Sequence, residues 1–94
     1  AQTDTVRSTM VSDSVSAKIN LVGKRVDEAL SELEQFLNHA ALADLRELVI
    51  IHGVGKGLLR RAIHEHMTDH PLVKKFRSGT IEEGGIGVTV ATLK

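Results

Sequence analysis

The sequence predicts a two-layer α/β sandwich, a four-stranded mixed sheet with two helices packed on it, in the order β-α-β-α-β-β. Three observations carry this expectation. Leu48-Val49-Ile50-Ile51 is apolar at every position, as in a strand covered on both faces by other parts of the chain. Val26, Ala29, Leu30, Leu33, Leu37, Ala40 and Ala41 recur at helical spacing, with Asp27, Glu28, Glu32, Glu34 and Gln35 between them. A second helical segment, Gly57 to Asp69, follows the apolar strand and is stopped by Pro71. Strands alternating with helices imply crossover connections, which are right-handed by rule.

Along the chain, residues 1–17 are rich in Ser, Thr and Asp, with Val scattered aperiodically. They read as a flexible tail or interdomain linker; the alternative is a short extra strand from Val6 to Val11. Residues 18–94 form the domain. Ile19-Asn20-Leu21-Val22 is a short strand closed by Gly23. The first helix follows, about four to five turns long, with Asp27 and Glu28 in its first turn, where the helix dipole favours anions. In the second helix, Leu59, Ala62, Ile63, His66 and Met67 lie toward one side. Val73 to Ser78 reads as a third strand with Phe76 inward. Gly79 to Gly85 is a turn-rich loop, and Gly87 to Leu93, rich in β-branched residues, is the last strand.

Composition narrows the function classes. Twelve Lys and Arg balance twelve Asp and Glu, so the formal net charge is zero. A dedicated polycationic binder is excluded, and any basic surface must be local. The basic clusters are Lys24-Arg25, Lys56 with Arg60-Arg61, and Lys74-Lys75 with Arg77; the acids gather elsewhere, making the chain a charge dipole. The absence of cysteine removes disulfides, thiolate metal sites and cysteine nucleophiles, and permits a reducing, cytoplasmic setting. Phe36 and Phe76 are the only Phe, Tyr or Trp residues, which leaves almost nothing for base stacking. No stretch has the length and apolarity of a membrane span, and the polar start has no signal-peptide pattern.

The densest chemistry lies in His52-Gly53-Val54-Gly55-Lys56-Gly57, between the apolar strand and the second helix. Bare glycine backbone at a helix N-terminus suits a phosphate. A histidine at a strand end suits proton transfer. In an open α/β sheet, ligands bind beyond the carboxyl ends of the strands. The Gly23 turn should lie at that same end, with Lys24 and Arg25. The loop is neither a P-loop nor a dinucleotide fingerprint, because its glycines fall at every second position. The bland alternatives are a tight turn for the glycines and a loop cap for His52. A second cluster, Glu82-Glu83-Gly84-Gly85-Ile86-Gly87, reads as a loop of unusual backbone angles or as a flap lining the site through Gly84, Gly85 and Gly87. His66 and His70 have the spacing of a metal pair, yet no third ligand is evident, so no metal site is assigned. His39 and His64 read as surface residues.

Taken together, Gly23-Lys24-Arg25-Val26-Asp27-Glu28-Ala29-Leu30, Ile50-Ile51-His52-Gly53-Val54-Gly55, Gly57, Leu59-Arg60, His70-Pro71 and Glu83-Gly84-Gly85-Ile86-Gly87-Val88-Thr89-Val90 make residues 18–94 resemble the small MutS-related (Smr) domain. The form is the one at the C-terminus of the second class of bacterial MutS proteins. The resemblance implies a fold like the C-terminal domain of translation initiation factor three. It implies nucleic-acid binding and, in several members, nicking endonuclease activity. It links the longer proteins to branched DNA, suppression of recombination, DNA repair and the splitting of collided ribosomes. ATP would be used only by other domains of such a protein, itself a homodimer, with the isolated domain a monomer. The family's first strand usually reads Leu-Asp-Leu-Arg/His-Gly, whereas here Asn20 replaces the acid and Val22 the basic residue.

Three readings follow. In the first, the domain nicks DNA: His52 is the general acid or base, and Gly53, Gly55, Lys56, Gly57 and Arg60 hold the phosphate charge, with Asn20 lining the site. In the second, it binds DNA or RNA through Lys24, Arg25, Lys56, Arg60 and Arg61 without cutting. In the third, it is a protein-contact domain, for instance on a ribosome, using its acidic helix face. No cofactor is assigned, with a divalent cation left open, and no membrane is involved.

Overall fold

The structure, a computed structural model, describes residues 16–94. Strand β1 spans Ser16–Asn20, helix α1 Val26–Leu42, β2 Glu47–Ile51, α2 Leu58–Met67 and β3 Val73–Ser78. Two 3-10 turns, Ile81–Glu83 and Gly85–Gly87, lead into β4, Val88–Leu93. The tail and the alternative strand at Val6 to Val11 lie outside the described residues, except that Ser16 and Ala17 belong to β1. That strand starts three residues before Ile19 because Ser16, Ala17 and Lys18 continue the ladder against Glu47, Leu48 and Val49. Ladder bonds are made by backbone and do not require apolar side chains.

The sheet order is β1-β2-β4-β3. β1 and β2 are parallel, while β4 runs antiparallel to both of its neighbours, β2 and β3. β1, β2 and β3 therefore point the same way, and the last strand runs back between two of them. One consequence governs the rest: the loops leaving β1, β2 and β3 all emerge at one end of the sheet, where β4 begins.

Helix α1 buries Ala29, Leu33, Leu37 and Ala40, the inward positions of the predicted stripe. Its Glu28 carboxylate accepts the Arg25 backbone N–H at 3.3 Å, tying down the start of the first turn. α2 buries Ile63 and Met67. These side chains form one core with Leu48 and Ile50 of β2 and Ala91 and Leu93 of β4. The expectation that β2 is covered on both faces is corrected. Leu48 and Ile50 are fully buried, but Val49 and Ile51 are only half-buried. Both helices serve the same face. On the other, Val49 sits between Lys18 and Val90, with Arg77 beyond, so a two-layer fold leaves alternate residues partly wet.

Candidate functional site

The two-residue period of a strand decides where His52 points. Leu48 and Ile50 face the helices, so His52, the next in that series, extends from the same face. It is 4% exposed. Its Nδ1 lies 3.0 Å from the Gly53 carbonyl oxygen and its Nε2 lies 2.7 Å from the Thr89 hydroxyl. Thr89, fully buried on β4, is also 2.8 Å from His64 Nε2 on α2. His64 is thus not a surface residue as expected. It is half-buried, edge-on to His52 and packed on the Phe76 ring, with centroids 4.9 Å apart. Burial pushes its pKa down, and the nearby charges of Arg60 and His52 push the same way.

The glycine loop is anchored on the β3–β4 connection. The Gly87 carbonyl accepts both the His52 and the Gly53 backbone N–H, at 3.0 and 2.9 Å. This bifurcated bond turns the chain sharply out of β2, and Gly53 has φ +78°, a conformation that a Cβ disfavours. A Cβ on Gly87 would meet Val54 and the Gly53 backbone at 3.4–3.5 Å, an ordinary contact, so its part in the loop is played by its carbonyl. Gly57, left-handed as well, caps α2, accepting the Arg61 N–H at 3.0 Å.

Between the Gly23 turn and this loop lies a cleft of about 530 Å³. Lys24, Arg25, Lys56 and Arg60 line it, and among the described residues no carboxylate does. Val22, Val54 and Leu58, all more than half exposed, add apolar surface. Lys24 pairs with Glu32 at 3.1 Å and Arg25 with Asp27 at 3.8 Å, both outside the cleft. The buried Nε of Arg60 has no hydrogen-bond partner among the described residues. A buried guanidinium N–H left unpaired is costly, and an acceptor that reached it would relieve that cost.

Other expected site residues fall elsewhere. Arg61, one position on from Arg60, is exposed and does not line the cleft, because one helical residue turns it about 100° away. Asn20 is also exposed; its Oδ1 accepts the Val22 N–H at 3.0 Å and shapes the turn rather than lining the cleft. Gly84, Gly85 and Gly87 all lie outside the lining, and Gly87 holds the glycine loop from behind through its carbonyl. The proposed flap is a pinned element. Arg77 donates two bonds to Glu83, at 2.8 and 3.1 Å, and the Thr80 N–H donates a third at 2.7 Å. The Arg77 guanidinium, helped by Thr80, holds the Glu83 carboxyl at a pKa of about 2.

The third partner for His66 and His70, invisible in sequence, is Glu34 of α1. Its Oε1 lies 2.9 Å from His66 Nε2 and 2.8 Å from His70 Nε2. The Leu72 N–H donates to His70 Nδ1 at 3.1 Å, which places the proton of a neutral ring on Nε2, facing Glu34. The trio is a hydrogen-bonded latch between α1 and the end of α2, and its three ligand atoms lie within 4.8 Å of one another. His39 is exposed, as expected.

The family pattern of the Smr domain matches residues 19–94, which include every residue of the cleft and of the His52–Thr89–His64 chain. The chain belongs to the Smr domain family. This Smr domain is 45% identical over 83 residues to the endonuclease MutS2 of Brevibacillus brevis, covering 88% of the chain and 11% of that protein. It spans about a tenth of the length of the curated relatives it matches. The crystal structure of the Smr domain of Thermus thermophilus MutS2 superposes with a TM-score of 0.81 at 40% identity, covering 83% of this chain and 98% of that one. YdaL, a stand-alone small MutS-related protein from Escherichia coli, superposes at 0.78 and 24% identity over 88% of this chain and 66% of its own, and shares the fold. Two residues of the Smr domain's site escaped the sequence reading, His64 and Thr89. Both had a signal. Thr89 falls on the helix-facing side of β4, and His64 follows the inward Ile63, so each is a polar group beside the core.

Proposed function

We propose that this Smr domain binds the sugar-phosphate backbone of nucleic acid in the cleft between the Gly23 turn and the His52–Arg60 loop, and nicks DNA there by hydrolysing one phosphodiester bond. The observation that carries the reading is the lining: four cations and no carboxylate among the described residues, in a chain of zero formal net charge. Arg60 adds the unpaired N–H that a phosphate oxygen would satisfy. Val22, Val54 and Leu58 offer apolar contact for sugar and base edges without aromatic stacking. The name endonuclease, carried by relatives of which this chain matches a tenth, supports hydrolysis.

His52 is the proton-transfer group of this reading; one positioned histidine contributes about 10²–10⁴ in rate. Both of its ring nitrogens are engaged, so transfer to a substrate oxygen requires one of these bonds to open. Backbone amides at the start of α2, with Lys56 and Arg60, supply charge for the phosphorane. Among the described residues the cleft offers no carboxylate for a cation of the magnesium class. Within a longer dimeric protein, linked modules would add avidity at branched DNA or on a ribosome.

A second reading, binding without cleavage, is favoured by the full engagement of His52 and by Asn20 at the family's acidic position. Supercoiled plasmid decides between the two. The native chain, His52→Ala and Asn20→Asp are incubated with Mg²⁺, Mn²⁺ or EDTA, and binding is followed in parallel. Nicking by the native chain that is lost in His52→Ala, with binding retained, is the expected result. Binding without nicking leaves the second reading, and nicking gained only in Asn20→Asp locates the lost chemistry. Absence of binding at low salt sinks both.

A further inference from the structure

We infer that His64 is the proton port of the buried His52, with the Thr89 hydroxyl as the relay between the two rings. The inference rests on His52 being the proton-transfer group of the site, but its test does not need cleavage.

The hydrogen-bond inventory leaves few arrangements. Gly53 O can only accept, so His52 Nδ1 carries a proton as long as that bond holds. Thr89 is fully buried, and its hydroxyl, with one proton to give, has the two imidazole Nε2 atoms as its side-chain partners. One ring must accept from it and the other donate to it, since a buried hydroxyl proton left unpaired is costly. When His52 is neutral, its Nε2 accepts the Thr89 proton and His64 Nε2–H donates to Thr89. When His52 is charged, the chain runs in reverse: His52 Nε2–H donates to Thr89, and Thr89 donates to His64 Nε2. In that state the neutral His64 carries its proton on Nδ1.

The change between these states is a balanced transfer. A solvent proton binds His64 Nδ1. The His64 Nε2 proton passes to Thr89 Oγ1, and the former hydroxyl proton passes to His52 Nε2. Each of the three atoms gains one bond to hydrogen, while Nε2 of His64 and Oγ1 of Thr89 each release one. The charge moves from solvent to a ring that is 4% exposed. Nothing has to open His52 to water.

The surroundings of His64 suit a port. Among the described residues, Arg60 on α2 and His52 at the end of β2 bring charge to bear on it, while β3 presents the uncharged Phe76 ring and β4 presents Thr89. Burial first, and then these neighbours, disfavour charge resting on His64, so a proton that reaches it is passed on. Its Nδ1 makes no hydrogen bond among the described residues, which leaves it free to take the proton.

Nitrogen NMR of the labelled imidazoles of the full chain tests the relay, with the pH lowered from about 8 to about 5. In the native chain His64 should exchange its Nε2–H tautomer for Nδ1–H over the same interval in which His52 takes its second proton. Thr89→Val should lose this joint curve, and Thr89→Ser should restore it. Separate curves in the native chain, or a joint curve surviving in Thr89→Val, overturn the relay. Should the valine variant not fold, His64→Gln decides. Exchange of the His52 Nε2 proton with water then slows several-fold, and an unchanged rate refutes the port.

Discussion

Adjacent arginines at the start of α2 have different fates. Arg60 reaches the cleft with a buried, unpartnered Nε, while Arg61 points into solvent. A hydrogen bond to a charged group is worth about 1.5–3 kcal/mol, or about 10–150-fold in affinity. Fluorescence anisotropy on a short duplex should therefore show Arg60→Ala weakening binding by at least about tenfold and Arg61→Ala by much less. Equal effects would mean that the cleft is not where the backbone lies. Gly53 is read at the same scale. Its positive φ and the two N–H bonds to Gly87 O mean that Gly53→Ala strains the turn that carries His52. The sequence alone reveals this loop because three glycines at every second position follow an apolar strand that ends in a histidine. It does not reveal Arg60 over Arg61, which a single helical step separates.

At the scale of elements, α1 and α2 are joined by core packing and by the Glu34 latch. Leu37 is fully buried, so Leu37→Ala should cost about 2–5 kcal/mol in denaturant unfolding. The latch has a pH signature. Hydrogen bonds from His70, then His66, lower the Glu34 pKa from 4.5 to about 2. A carboxylate depressed in the folded state contributes its stability above the unfolded pKa and loses it as the pH falls through the folded one. The melting-temperature gap between the native chain and Glu34→Gln should be full near pH 6 and should shrink between pH 4.5 and about 2. A gap that persists at the acid end would show that the latch acts through packing instead. The helical stripe made α1 legible; the latch was not, because Glu34 and His70 lie 36 residues apart.

For the whole molecule, neutrality and a cationic cleft predict a modest salt dependence. Four cations each neutralising one duplex phosphate correspond to a slope of about −3.6 in log K against log salt, at about −0.9 per contact. Lys56→Ala should reduce that slope by about one contact, and a slope near zero would place recognition outside the cleft. The sheet order explains how so few cations concentrate. With β4 returning between β2 and β3, three strands deliver their loops to one end, and the acids of α1 stay along its flank.

The element order, both amphipathic helices, Val73–Ser78 as a strand and the His52–Gly57 loop as the candidate site all follow from periodicity, β-branched runs and glycine spacing. These are local properties, written in residues a few positions apart. The one-sided burial of β2, the β1-β2-β4-β3 order, the Thr89 bridge from His52 to His64, the role of Asn20 in a turn and the Glu34 latch appear only in the folded chain. Each depends on which distant segments meet, and a hydroxyl or carboxylate carries no mark of its partner until packing brings the two within hydrogen-bond reach.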